Sequence, residues 1–319
     1  MKVVIISRTV HPLEEPRSSR TTELAKEFSR QGHEVVVYAV LGNYDYETFG
    51  RENNVAVKNL GVMRFATFNS DGWRRSNIFD KMLKVIFGRI LEFPDIELAF
   101  KIPRVIRRES KADLLVSVAV PYPIHWGVAF ARYRDKDNFP GLWVADCGDP
   151  YMGNPMTGSR KPFYFSWIEK WFCGLADYIT VPVPEAIPAY YEKVRGKIRV
   201  VPQGFSFSNI TSDYSQIKND IPTFAYAGVF YPEFRDPRKF LSQLAQISNN
   251  FNFIVYTRTP ELLTPYLVKM PGKLIIRDYM PRAQLLDELA KMDFLINFEN
   301  ATSVQVPSKL IDYAMAARP

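Results

Sequence analysis

Continuous apolar runs alternate with amphipathic stretches along the whole chain. Lys2–Ile6 (KVVII) is a β-branched run of the kind that forms a strand buried on both faces. A polar loop, SRTVHPLEEPRSSR, leads into TTELAKEFSRQGHEVVVYAV, in which Leu24, Ala25 and Phe28 fall on one helical stripe. Gly32 stops that helix, and Val35–Val40 reads as the second strand. Further strands are predicted at Asn59–Phe65, Asp113–Val120, Gly141–Ala145, Ala176–Pro182 and Lys197–Pro202, with helices at Trp126–Tyr133, Phe163–Trp171 and Pro184–Val194. Ser206–Asp220 is polar and aperiodic, the pattern of a linker. A second series follows, with strands at Thr223–Ala227, Phe251–Tyr256, Lys273–Arg277 and Phe294–Asn297, and helices around Phe240–Ile247, Glu261–Val268 and Gln284–Lys291. The expectation is an α/β protein of two Rossmann-like domains, residues 1–205 and 221–319, joined by 206–220.

Polar positions just beyond the strands carry the candidate chemistry. Arg8, Arg17 and Arg20 lie near the start of the first helix and read equally as phosphate ligands or as solvated side chains. The loop has no G-x-G-x-x-G, so the dinucleotide fingerprint is missing. Asp146 and Asp149 (DCGDPY) follow the fifth strand, where ligands bind in such sheets. Two carboxylates so spaced suit a turn cap better than a metal. The last stretch, NFENATSVQVPSKLIDYAMAARP, runs from a strand through a small polar loop into a helix opened by Pro307. Ser308 and Lys309 stand at that helix's positive end, and Asp312 one turn on can accept hydrogen bonds from hydroxyls. These are the parts of a nucleotide site, and equally of an ordinary βα turn.

Composition narrows the field. A chain of 319 residues, 47% hydrophobic, can bury a large core. Cys147 and Cys173 lack metal-like spacing and His11, His33 and His125 are scattered, so no metal site is expected. Reduced thiols, an opening apolar run too short for a leader and no bilayer-length run point to the cytoplasm. Residues 1–200 carry 29 Lys and Arg against 23 Asp and Glu, and residues 201–319 carry 12 against 11, so the first half is the one suited to an anionic partner. Within it, residues 73–108 join basic and apolar positions. Ile78, Met82, Val85, Ile86 and Leu91 share one face, with Arg74, Arg75, Lys81, Lys84 and Arg89 mostly elsewhere. That pattern suits peripheral attachment to an anionic membrane surface, on its inner face, or a core helix with a solvated basic side. Pro94 and Pro103 are expected to break the segment. No nucleic-acid motif accompanies the charge.

Taken in order, the blocks VVIIS…RSSR…ELAKEFSRQGHEVVVYAV, ADLLVSVAVPYP, LWVADCGDPY, ADYITVPVPEA…KIRVVPQGF, FAYAGVFYPEFRDPRKFL and VPSKLIDYAMAARP resemble a GT-B glycosyltransferase of the large retaining family four, including its capsule and lipopolysaccharide members. The resemblance implies a metal-independent, cofactor-free hexosyl-type transferase. It would use a sugar nucleotide held by the second domain and a glycan or lipid-linked acceptor held by the first. It implies donor contacts at Gly228, Arg235, Lys239, Ser308, Lys309 and Asp312, with Arg235 offsetting the diphosphate charge and Asp312 binding ribose. Asp149 would contribute to the sugar site, and Arg17 and Arg20 to the acceptor loop.

Three departures stand out. The first acid of the family's E-x7-E pattern falls at Val304, leaving Glu299, Ser303 or Gln305 as substitutes, and Arg17-Ser18-Ser19-Arg20 replaces a Gly-Gly pair. His125 lies beyond the place where some members carry a histidine and reads as structural. Relatives continue past Ala317-Arg318-Pro319, so the second domain is expected to be incomplete with an unpaired sheet edge. The rival reading is a non-catalytic GT-B module that binds a sugar nucleotide or partners an active subunit.

Overall fold

The opening run forms the central strand of the first sheet: β1 (Lys2–Ile6) has Val3 through Ile6 fully buried. The computed structural model describes residues 1–13, 15–64, 78–154, 161–204, 218–232, 234–299 and 309–319, with the backbone alone for 78–84 and 283. The chain divides into two units, Met1–Gly204 and Phe205–Pro319.

In the first unit, β1 pairs on one side with β2 (Glu34–Ala39), which pairs with β3 (Val55–Asn59). On its other side follow β4 (Leu114–Ala119), β5 (Leu142–Cys147), β6 (Tyr178–Val181) and β7 (Ile198–Val200). All pairings are parallel. The order 3-2-1-4-5-6-7 reverses between β1 and β4, and the carboxyl ends of those strands flank the crevice where such sheets bind ligands. Alternate strand residues serve opposite faces. Val3, Ile5, Val35, Val37, Val116 and Val118 pack with Ala25 of α1 (Pro16–Arg30). Val4, Ile6, Val36, Tyr38 and Leu115 face α4 (Ile96–Arg108), α5 (Pro123–Arg134) and α6 (Phe165–Leu175). The unit also carries α2 (Tyr46–Asn53), α3 (Ile78–Leu91) and the single turn α7 (Glu192–Arg195).

The second unit has a parallel sheet ordered β10-β9-β8-β11, made of β8 (Thr223–Ala227), β9 (Asn252–Tyr256), β10 (Leu274–Arg277) and β11 (Phe294–Leu295). Phe224, Tyr226, Phe253 and Val255 pack against Leu241 and Leu244 of α8 (Arg238–Leu244), and against Leu263 and Tyr266 around α9 (Thr264–Leu267). Ala225 and Ala227 face Leu289 of α10 (Arg282–Leu289), and Tyr313 of α11 (Lys309–Met315). On β11, Leu295 N donates to the Pro319 carbonyl at 2.8 Å.

Several predicted elements shift, each for a local reason. The third strand is Val55–Asn59, not Asn59–Phe65; Asp45 caps α2 and Asn54, at φ 52°, ends it and returns the chain to the sheet early. Proline divides two predicted helices. Pro184–Val194 becomes a 3-10 turn with Pro188 inside it, then α7. Glu261–Val268 becomes a 3-10 turn at Pro260–Leu262 and then α9, which has Pro265 at its start. Pro103 does not break α4. The Ala99 carbonyl, which Pro103 has no N–H to meet, lies 3.0 Å from where a Cβ on Gly127 would project, so α4 and α5 approach closely there. Leu98, Ile102, Val105 and Ile106 of α4 are buried, so that part of the 73–108 segment is core helix. Most of the predicted linker 206–220, together with Trp73, Arg74, Arg75, Ser303, Val304, Gln305, Pro307, Ser308 and the side chains of Lys81 and Lys84, lies outside the described residues. No helix among the described residues is long and apolar enough to cross a membrane.

Candidate functional site

At the carboxyl edge of the first sheet, the arginines of the first loop and helix meet carboxylates. Arg20, on the buried face of α1, donates through Nε and Nη2 to Asp146 of β5 at 3.1 and 2.8 Å, and through Nη1 to the Pro202 carbonyl at 2.6 Å. Thr180 Oγ1 donates to the same carboxylate at 2.6 Å. Burial alone would raise the Asp146 pKa, but Arg20 and Thr180 outweigh it and hold the group below the ordinary carboxylate range. Arg20 is thereby occupied inside the domain, tying α1 to β5 and to the chain beyond β7. Arg17, one turn earlier, donates to Asp149 at 3.1 Å, and Arg8 pairs with Asp95 at 2.9 Å. The Arg17 guanidinium lies flat on Gly148; a Cβ there would sit 1.5 Å from Nη1. Tyr122 donates to the Asp149 carbonyl, fixing that loop from below.

Behind this edge His125 is fully buried. Trp143 Nε1 donates to Ser117 Oγ at 2.8 Å, Ser117 Oγ lies 2.8 Å from His125 Nδ1, and His125 Nε2 lies 3.4 Å from Cys147 Sγ. Burial lowers the His125 pKa to about 3, so the ring is neutral, and it serves as a link in the core.

The second unit builds a different environment at the end of β8. Gly228 has φ +150°, and a Cβ on it would stand 2.9 Å from Tyr226 Oη and 3.3 Å from Lys309 Nζ. Lys309 Nζ sits 3.9 Å from the centroid of the Tyr226 ring. Among the described residues this ammonium nitrogen has no hydrogen-bond partner. Burial, and then the charge of Arg235, brings its pKa down to about 6. Arg235 donates to the Val229 carbonyl at 3.3 Å, in the turn closed by the Tyr231–Arg235 bridge. Tyr226 is itself held in an aromatic group, stacked on Phe230 with centroids 4.5 Å apart and meeting Phe298 edge-on at 4.9 Å. Tyr313 accepts from Ala227 N at 3.1 Å and donates to the Ile296 carbonyl at 3.0 Å, fastening α11 to the ends of β8 and β11. Asp312 receives Arg282 Nε at 2.7 Å. Lys239 is exposed on α8, away from any ion pair among the described residues, and Glu299 is exposed.

The sequence model described as Glycosyltransferase Family 4 matches residues 18–208. The chain belongs to that family. It is a glycosyltransferase, and solved glycosyltransferases share its fold. HepE from Anabaena, crystallised with UDP and glucose, has a TM-score of 0.62 at 10% identity, covering 100% of this chain and 79% of that one. WaaB, a lipopolysaccharide outer core galactosyltransferase, gives 0.58 at 14% identity over 100% and 79%. The catalytic domain of starch synthase IV from Arabidopsis thaliana, bound to ADP and acarbose, gives 0.61 at 10% identity over 97% and 80%. No curated protein sequence matches the chain.

Within this glycosyltransferase, the structure gathers the sequence-named residues into two groups: Arg17, Arg20 and Asp149 in the first unit, and Gly228, Arg235, Lys309 and Asp312 in the second. Lys239, exposed on α8, makes no hydrogen bond or ion pair with the latter group among the described residues. Gly148, Tyr226 and Arg282 were not singled out from the sequence. Gly148 could have been, since a glycine between two acids just past a strand marks a close approach. Tyr226 sits within a strand whose five residues are all buried and reads there as core; nothing local marks it as the bed for a lysine 83 positions later.

Proposed function

We propose that the protein transfers a sugar from a nucleoside-diphosphate sugar to a glycan or lipid-linked acceptor in cell-surface polysaccharide synthesis, with retention of configuration and without a metal. The observation that carries this reading is Lys309, a buried amine with no hydrogen-bond partner among the described residues, set beside Arg235 and the side-chain-free Gly228. An anion placed there would supply the partner that the amine lacks, and Gly228 leaves room for the diphosphate to approach backbone. Arg235 and Lys309 would offset the charge that develops on the leaving diphosphate, with Lys239 as a further cation, and Ser308 would offer its backbone amide. Asp312, oriented by Arg282, would accept from the ribose hydroxyls. Arg17 in the first turn of α1 would contribute to the acceptor side and Asp149 on the loop after β5 to the sugar, with the Arg20–Asp146 pair holding helix and strand together. In the reaction, the bond from the anomeric carbon to the diphosphate oxygen breaks as the acceptor oxygen bonds on the same face. The acceptor proton passes to the departing phosphate oxygen.

A thermal-shift panel of UDP-, GDP- and ADP-sugars tests this reading, because a specific donor stabilises the folded chain by mass action. The true donor should raise the melting temperature, and Asp312→Ala should weaken its binding by about 1–3 kcal/mol. A panel in which no nucleotide sugar stabilises the protein would sink the assignment. Binding without transfer or hydrolysis would instead favour a non-catalytic sugar-nucleotide module, the reading to which Val304 in place of an acid points.

A further inference from the structure

The loop after β5, which carries Asp149, is fixed at several points. Gly148 lies under the Arg17 guanidinium, and Tyr122 donates to the Asp149 carbonyl. The Tyr151 hydroxyl donates to Glu92 Oε1 at 2.8 Å. Gly153 runs against the 3-10 turn at Pro184–Ala189, where a Cβ on it would stand 2.0 Å from the Ala189 carbonyl oxygen. Between these points the backbone turns over one side chain. Glu169 of α6, 1% exposed, accepts through Oε1 from Tyr151 N at 3.3 Å and from Met152 N at 3.4 Å. Its Oε2 is buried and makes no hydrogen bond of regular geometry. An apolar side chain could fill the same space, but it would leave both amides without an acceptor.

Burial raises the Glu169 pKa from 4.5 to about 7, against the opposing pull of Tyr191, the two amides and the charge of Lys161. Tyr122, Cys147, Tyr151, Cys173, Tyr190 and Tyr191 also feel the Glu169 charge. Burial pushes every one of their pKa values up, so none of them loses a proton near neutrality. Lys161, whose ammonium meets Glu92, supplies the positive charge on this side. An amide N–H bonds more strongly to a charged acceptor than to a neutral one. We propose that Glu169 is a positioning residue for transfer: its ionised carboxylate draws the Tyr151 and Met152 amides inward and so sets the place of Asp149, and uptake of a proton loosens that hold. The step from loop to transfer rests on the donor reading, which assigns Asp149 to the sugar. The hold itself does not.

The test has two arms. In the first, the chain is labelled with nitrogen-15 methionine, and the Met152 amide, assigned by its loss in Met152→Leu, is followed by NMR through a pH titration. The signal should move with a midpoint of about 7 in the native chain. It should stay still in Glu169→Gln, which keeps an acceptor oxygen but has no charge to lose. In the second arm, turnover is read as nucleoside diphosphate released at saturation from whichever UDP-, GDP- or ADP-sugar stabilises the chain. It should rise about tenfold across the two pH units centred on 7 in the native chain and be flat over that range in Glu169→Gln. A purely structural side chain would lower the melting temperature of the variant and move neither profile. A Met152 signal that does not titrate, or that titrates alike in Glu169→Gln, overturns the proposal, as does a turnover profile that the variant leaves unchanged. If no sugar nucleotide binds, the donor reading falls and the transfer role with it, while the Met152 titration still decides the hold.

Discussion

The two units place basic residues at comparable points, just past parallel strands, yet treat their charge in opposite ways. In the first, Arg20 is closed onto Asp146, which also accepts from Thr180, and Arg17 onto Asp149. In the second, Lys309 is buried against an aromatic ring and beside another cation, with no hydrogen-bond partner among the described residues. An arginine matched by a carboxylate inside the fold contributes architecture. A lysine left without its counter-charge raises the energy of the empty protein and lowers that of a complex with an anion. Under the proposed donor reading, the same residue types would therefore carry different roles because of what folding has already neutralised.

The largest effect should come from breaking the matched side. Asp146→Ala leaves Arg20 buried without its carboxylate and should destabilise the first unit by about 3–5 kcal/mol, measured by urea denaturation. A loss below about 1 kcal/mol would mean that water reaches Arg20 and that the pair does not tie α1 to β5.

The unmatched side should behave in reverse. Lys309→Met should leave the empty protein as stable or more stable, while weakening nucleoside-diphosphate binding by about 1.5–3 kcal/mol in calorimetry. The pH dependence has a definite sign. The Lys309 pKa is lowered from its ordinary 10.5 to about 6 in the folded protein. Between those values the unfolded chain binds more protons, so this group's contribution to stability rises with pH and is at its lowest below pH 6. An anion restores the proton, so at neutral pH nucleotide binding should take up protons and tighten as pH falls towards 6. Calorimetry in buffers of different ionisation enthalpy reads that uptake, and it should vanish in Lys309→Met. Uptake that persists in the variant would place the titrating group elsewhere.

The smallest effect sharpens the comparison within the first unit. Gly148→Ala puts a methyl group where the Arg17 guanidinium lies, and the flexible arginine should swing away from Asp149. Because both side chains are partly exposed, the stability change should be about 0–1 kcal/mol by denaturation, against the much larger loss at Asp146.

The fold was legible where local pattern and tertiary environment agree. KVVII, EVVVYA and TFAYA are buried on both faces of parallel sheets, and such strands declare themselves as unbroken apolar runs. The edge strand VAVKN buries only Val55 and gives no such run, and α2 in front of it is a short polar helix started by the Asp45 cap. Both escaped detection for that reason. In the candidate site, Lys309 and Asp312 are suggested by the sequence because they share a short segment with a recognisable spacing. Their surroundings are not. Arg282 reaches Asp312 across 30 residues, and Asp146 reaches Arg20 across 126, so their pairing depends on topology that no local window contains. That is why Arg20 reads from sequence as a phosphate ligand or a solvated side chain, and is instead paired inside the fold.

The double hydrogen bond of Tyr313 to Ala227 and Ile296 has an entropic consequence. It pins α11, and with it the root of Lys309, to the ends of two strands. The rest of that side chain is confined over the Tyr226 ring. A lysine free in solvent gives up about 1.5–2 kcal/mol of rotamer freedom when a ligand immobilises it. Here that loss belongs to folding, and in the proposed donor complex a diphosphate would meet an amine whose motion is already restricted.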